Sequence, residues 1–449
     1  MNYRQLIYLL IITITLVGSS YLVLNQNTPQ AKATQGVSIS LTDAQTPMSL
    51  KTTAELIDFW HARTERNPRD FISLSYLGAA FLRQGQETGD VSAYQRAEAA
   101  LDRALTLKDN DELALAFKAS VLLAGHNFLE ARDLAQRVYN FDPRALHALA
   151  TLGDAQLELG NYAEAEAAYR QLVEKNPSPP VYGRLARLAW LHGHPDEAIN
   201  TMSAALDSAI NLGLTGESLA WYRFQLGELY FNTGQLDRAE QNYQAALADH
   251  PAYYLGLAGM GKVRAAQGDY QTAIDYYQRS TAIIPNPEFL AVLGDLYTLT
   301  GQIDQAQQQY DTVRYIGKLS EINRQIYNRQ LANFYSDRGQ NVQAALRLAV
   351  TELDVRQDIY GYDASAWAYY KNGLIDQAGD MIDQAMRLGT QDAKLYYHAG
   401  MIAHAAGRQT EAKTLLTEAL TINPHFDLLQ VGIAQTTLAQ LAATSALIK

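Results

Sequence analysis

The chain has 449 residues, 48% of them hydrophobic and 18% charged, a composition that excludes a disordered polymer. Its formal net charge of -11 excludes a basic nucleic-acid footprint as a global feature. The absence of cysteine excludes disulfides, thiolate metal sites and a cysteine nucleophile.

In chain order, Leu6 to Leu24 carries no charge and is long enough to cross a hydrocarbon core of about 30 Å as a helix. Residues 1–24 therefore read as a signal anchor or transmembrane helix, with Arg4 holding the N-terminus in the cytoplasm and the bulk of the chain outside. The small-residue stretch Ala31-Lys32-Ala33 keeps open the alternative of a cleaved signal and a secreted product. Residues 25–50, rich in Gln, Thr and Ser with Pro29 and Pro47, read as a flexible linker. From residue 51 a helical pattern continues nearly to Lys449.

That pattern repeats. Small residues fall at Gly78, Ala119, Gly153, Ala186, Gly227, Gly261, Gly294, Ala332, Ala366 and Gly400. From the second onward, alanine stands twelve residues later each time, from Ala131 and Ala165 through to Ala412. Seven residues after the small position stands a glycine (Gly85, Gly160, Gly193, Gly234, Gly268, Gly301, Gly339, Gly373, Gly407), except in unit two, where His126 takes the place. Small residues allow two antiparallel helices to approach, and a glycine between them supplies the positive φ that ends the first. Aromatics three and sixteen residues on, such as Tyr230 and Tyr243, fill the space around that contact. Pro143, Pro177, Pro251, Pro285 and Pro424 stop the second helices.

The pattern Leu-Gly-x2-Tyr, Ala-x3-Tyr and Pro, nearly whole in Leu226–Pro251, resembles the tetratricopeptide repeat family. The resemblance spans Phe71 to Phe426, with Leu or Tyr where the family carries tryptophan. It implies an all-α, right-handed solenoid of about ten helix-turn-helix repeats over residues 51–427. A helix before unit one and another over 428–449 would cap its ends, as arrays require.

Catalytic constellations are wanting. Gly256–Val263 matches Gly-x4-Gly-Lys, but Val263 replaces the magnesium-binding hydroxyl and a helix replaces the required strand. The nine histidines show no metal-ligand spacing. The expectation is a protein that is not an enzyme and uses no metal or cofactor. Family geometry puts the concave face on the first helix of each unit, at positions three before, one after, and four or five after the small residue. That nominates Arg187, Trp190, Phe224, Glu228, Phe231, Arg329, Asn333, Trp367, Tyr370 and Tyr397, with Trp221 at the edge, as a groove for extended or helical segments of partner proteins. The chain reads as a membrane-tethered interaction scaffold of the cell envelope, anchored through residues 6–24, with no nucleic-acid partner and an open oligomeric state. The alternative is a regulatory or targeting subunit of a separately encoded envelope enzyme.

Overall fold

The computed structural model describes residues 52–88, 90–322 and 328–447. The anchor and linker expected over residues 1–50 lie outside these. Among the described residues no helix is long and apolar enough to cross a membrane.

All regular structure in the described residues is helical, in 22 elements. A first helix, α1 (Thr53–Arg66), is closed by a capping box between Thr52 and Glu55. Hairpins follow: α2 (Phe71–Thr88) with α3 (Val91–Leu107), α4 (Glu112–Ala124) with α5 (Phe128–Phe141), and α6 (Leu146–Glu158) with α7 (Tyr162–Lys175). Next come α8 (Pro179–Leu191) with α9 (Pro195–Asn211), α10 (Glu217–Asn232) with α11 (Leu236–Asp249), and α12 (Tyr254–Ala266) with α13 (Tyr270–Ile283). The last four are α14 (Pro287–Leu299) with α15 (Ile303–Ile322), α16 (Asn328–Asp337) with α17 (Val342–Leu353), α18 (Ile359–Lys371) with α19 (Ile375–Met386), and α20 (Ala393–Ala405) with α21 (Gln409–Ile422). A final helix, α22 (Gln430–Leu447), packs on α21. Several first helices of successive hairpins also touch, as α4 does α6 and α10 does α12, and the first helices form a wall along the array.

The recurring glycine has a definite partner. It lies under the side chain sixteen residues later, not against the alanine at twelve. A Cβ on Gly153 would sit 2.6 Å from the Tyr169 ring, and one on Gly227 2.6 Å from Tyr243. Where the small residue is alanine, the residue sixteen later is never tyrosine: Ala135, Met202, Leu348 or Ile382. The sequence thus sets a tyrosine ring only over glycine, although Gly78 and Gly400 lie beneath Leu101 and Leu416, and sets a narrower side chain over alanine, as close interior packing requires. Two glycines of the Gly256–Val263 stretch behave likewise: Gly259 and Gly261 lie in α12 beneath Tyr243 and Tyr277.

The turns close by a repeated device. In the α6–α7 turn Gly160 has φ +77°, and Asn161 N donates to Gln156 O at 2.9 Å, satisfying a carbonyl the helix end would orphan. In unit two His126 itself takes φ +62°. Gly85 departs from the expected turn role: it lies inside α2, beneath the Tyr94 ring.

Candidate interaction chamber

The wall of first helices curls until the chain meets itself. The turns after α6, α8 and α10 press on the loops after α17, α19 and α21. A Cβ on Gly160 would collide with Gln357 O and one on Gly193 with Gly389 O; on Gly234 it would lie 3.1 Å from Ile422 O. Hydrogen bonds stitch this seam. Ile359 N donates to Tyr162 Oη at 2.8 Å, Asn423 Nδ2 to Phe231 O at 3.0 Å, and Thr390 Oγ1 to Leu191 O. Trp190 Nε1 donates across it to Tyr360 Oη at 3.1 Å.

A buried ionic cluster completes the seam. Glu158 pairs with Arg187 at 2.9 Å and with Arg356 at 3.0 Å, and Arg356 also reaches Glu352 at 3.3 Å. Burial alone would push the Glu158 carboxyl up, but Arg356, Arg187 and Arg329 together hold it down to about 2. Arg329 pairs with Asp358 at 2.9 Å. Each cation therefore has a carboxylate, which a buried charge requires.

Behind the seam the curled wall encloses a chamber of about 380 Å³, at the lower end of the usual range for ligand sites, roughly 300–1,000 Å³. Of the residues nominated from sequence, Arg187, Trp190, Trp221, Phe224, Glu228, Arg329 and Asn333 line it. Glu228 is engaged there: it accepts from Tyr243 Oη at 2.6 Å and from Lys262 at 2.7 Å. The same acid-after-glycine arrangement recurs in Asp154, which takes Tyr169 and Arg184, and in Asp295, which takes Tyr310 and Arg338.

The structure places the other four nominated residues outside the chamber. Phe231 is buried against Ala239, Tyr243 and Val263, with the Lys262 ammonium 4.9 Å above its ring. Trp367 is 1% exposed, stacked at 4.1 Å on His398 and at 4.7 Å on Tyr370, and its Nε1 donates to Asp337 at 2.8 Å. Tyr397, also 1% exposed, packs on Trp367 and Phe426. Tyr370 packs on the edge of that cluster.

Profiles of the tetratricopeptide repeat match residues 118–180, 150–212 and 224–288, and another matches 393–426. The chain carries tetratricopeptide repeats. Cellulose synthase 1 operon protein C of Komagataeibacter xylinus is 26% identical over 238 residues, 53% of this chain and 15% of that protein. Cellulose synthase operon protein C of Pseudomonas fluorescens is 24% identical over 310 residues, 64% of this chain and 23% of that one. The match thus spans less than a quarter of the length of either relative. A crystal structure of a tetratricopeptide repeat protein from Parabacteroides merdae aligns with 61% of this chain and 98% of its own, at 19% identity and a TM-score of 0.34.

Counted on the tetratricopeptide spacing, four chamber residues missed from sequence share the register of Trp221. Six positions before the small residue stand Trp221, Leu255, Glu288, Tyr360 and Lys394, and all five line the chamber. This is the first turn or so of each first helix. In an open arc it would point past the groove; the tight curl aims it inward. Large or charged residues at that offset in successive units were the available signal.

Proposed function

We propose that the chain is a non-catalytic protein-interaction scaffold that holds a segment of a partner polypeptide in this chamber. Tetratricopeptide repeats generally serve protein interaction, and one observation carries the specific reading. Trp190, Trp221, Phe224 and Phe289 converge from three hairpins on one volume that also holds charged side chains. Aromatic and charged groups set together in a preformed cavity are the usual material of binding hot spots. We also propose that residues 6–24 tether the scaffold to a membrane with the repeats outside the cytoplasm; the uncharged run behind Arg4 supports this.

A photo-crosslinking side chain at position 221 or 289 tests the chamber in native membranes, with position 141 on the outer surface as control, since Phe141 is 73% exposed. One partner segment captured from both chamber positions and not from 141 supports the reading. The same adducts from all three positions would overturn it.

A second reading is favoured by the printed names of two relatives, each a cellulose synthase operon protein. In it the scaffold is the accessory subunit of a separately encoded envelope polysaccharide synthase. Glucan synthase activity that co-purifies with the tagged chain, and leaves with the chamber variant Trp221→Ala, is the expected result.

A further inference from the structure

Resting on the chamber as the partner site, we infer that the segment it takes is basic, entering with a lysine or arginine side chain. The argument is a census of charge inside the chamber. Four cations line it, and each is already matched: Arg187 by Glu158, Lys262 by Glu228, Arg329 by Asp358, and Lys394 by Asp337 at 3.0 Å. Four carboxylates line it too: Glu228 has Lys262, Asp363 is held by His398 Nδ1 at 2.8 Å, and Glu288 and Asp392 have no cation within ion-pair distance among the described residues. Asp392 accepts Tyr360 Oη at 3.3 Å and the Lys394 backbone N–H at 2.9 Å, with the Leu395 backbone N–H beside it. Glu288 has no hydrogen bond or ion pair to its carboxylate among the described residues, although its side chain is exposed. Its side chain lines the chamber, where desolvation pushes its carboxyl up against the pull of Arg329, Lys394 and Lys262, and burial likewise pushes up that of Asp392.

A second observation points the same way. Asn333 also lines the chamber, and its Oδ1 is buried without a hydrogen-bond donor. A buried acceptor left unpaired is destabilising, so an occupant that donates hydrogen bonds relieves it. Acceptors in excess, cations all matched and aromatic faces close by describe a receptor for an ammonium or guanidinium group. Trp221 and the tilted pair Tyr254–Phe289, 6.2 Å between ring centres, supply those faces. The chain's own net charge of -11 favours the approach of a basic segment from a distance.

The test uses the purified full chain in detergent and three fluorescein-labelled peptides, acetyl-Ala-Leu-Ala-Xaa-Ala-Leu-Ala amide, with Lys, norleucine or Glu at the centre. Fluorescence anisotropy is expected to give at least tenfold tighter binding of the Lys peptide. Glu288→Gln with Asp392→Asn should abolish that preference while the circular dichroism melt stays in place, and Glu288→Lys should turn it toward the Glu peptide. Equal binding of all three peptides, weakened throughout by Trp221→Ala, overturns the charge inference and leaves the chamber reading standing. No binding of any peptide overturns both. Displacement of the Lys peptide by n-butylamine at the peptide's own concentration overturns the polypeptide occupant in favour of a small amine.

Discussion

Two sets of turn glycines share one backbone conformation and differ in everything around it. Gly160, Gly193 and Gly234 have φ of +72° to +77° and press on the carbonyls of a chain segment nearly 200 residues away. Gly268, Gly301, Gly373 and Gly407 have φ of +74° to +80° and nothing within 4 Å of an added Cβ. The first set serves two purposes, ending a helix and admitting the next turn of the coil; the second serves only the former. Local geometry repeats along the array, whereas closure is made at a few places that the repeat does not mark.

The largest effect is expected where the seam holds buried charge. Arg356→Ala leaves Glu158 and Glu352 short of a counter-ion and should destabilise by about 3–5 kcal/mol in denaturant titrations. Arg170→Ala removes a pair of the exposed array surface and should change stability by about 1 kcal/mol or less. Comparable losses from both would mean the seam is no more than surface.

Gly193→Ala comes next. Left-handed strain accounts for roughly 1–2 kcal/mol at either Gly193 or Gly301. Only Gly193→Ala adds a collision with Gly389 O, so small-angle scattering should show its radius of gyration grow while Gly301→Ala stays compact. Identical scattering from the two would remove the seam's role in closure.

Within the array itself, Gly153→Ala should destabilise by about 1–3 kcal/mol through overpacking on Tyr169. Adding Tyr169→Leu imitates the pair Ala332 with Leu348 and should recover part of that loss in a double-mutant cycle. A simple sum of the two single effects would show that ring and glycine are independent.

The smallest effect belongs to a second approach of distant units. Burial, reinforced by the Glu87 charge at the end of α2, pushes the Glu217 carboxyl up to about 7. Because the folded value lies above the ordinary 4.5, its stabilising contribution is complete below pH 4.5 and is lost as pH rises to about 7. Glu217→Gln should therefore raise stability by about 2 kcal/mol at pH 8 and leave it unchanged at pH 4. An equal gain at both pH values would exclude titration as the cause.

The candidate site was legible in part, for reasons visible in single residues. Arg187, Glu228 and Asn333, one place after the small residue, face the chamber because helical period alone turns that position to the concave side. Trp367, also one place after its small residue, and Tyr397, three before its own, are packed away, since His398, Tyr370 and Phe426 cover them. Glu288, Tyr360 and Lys394 were passed over because their register points inward only once the coil is tight.

What the sequence by itself determined is everything local: helices, turns, and the side chain packed over each small residue, because those contacts join residues at most about two dozen apart. What only the tertiary structure decided is the degree of curl. Small rotations between neighbouring hairpins add along the array, and their sum is set by packing between units rather than by any one motif. That sum brings Gly193 to Gly389 and Glu158 to Arg356, and so turns an open groove into a chamber.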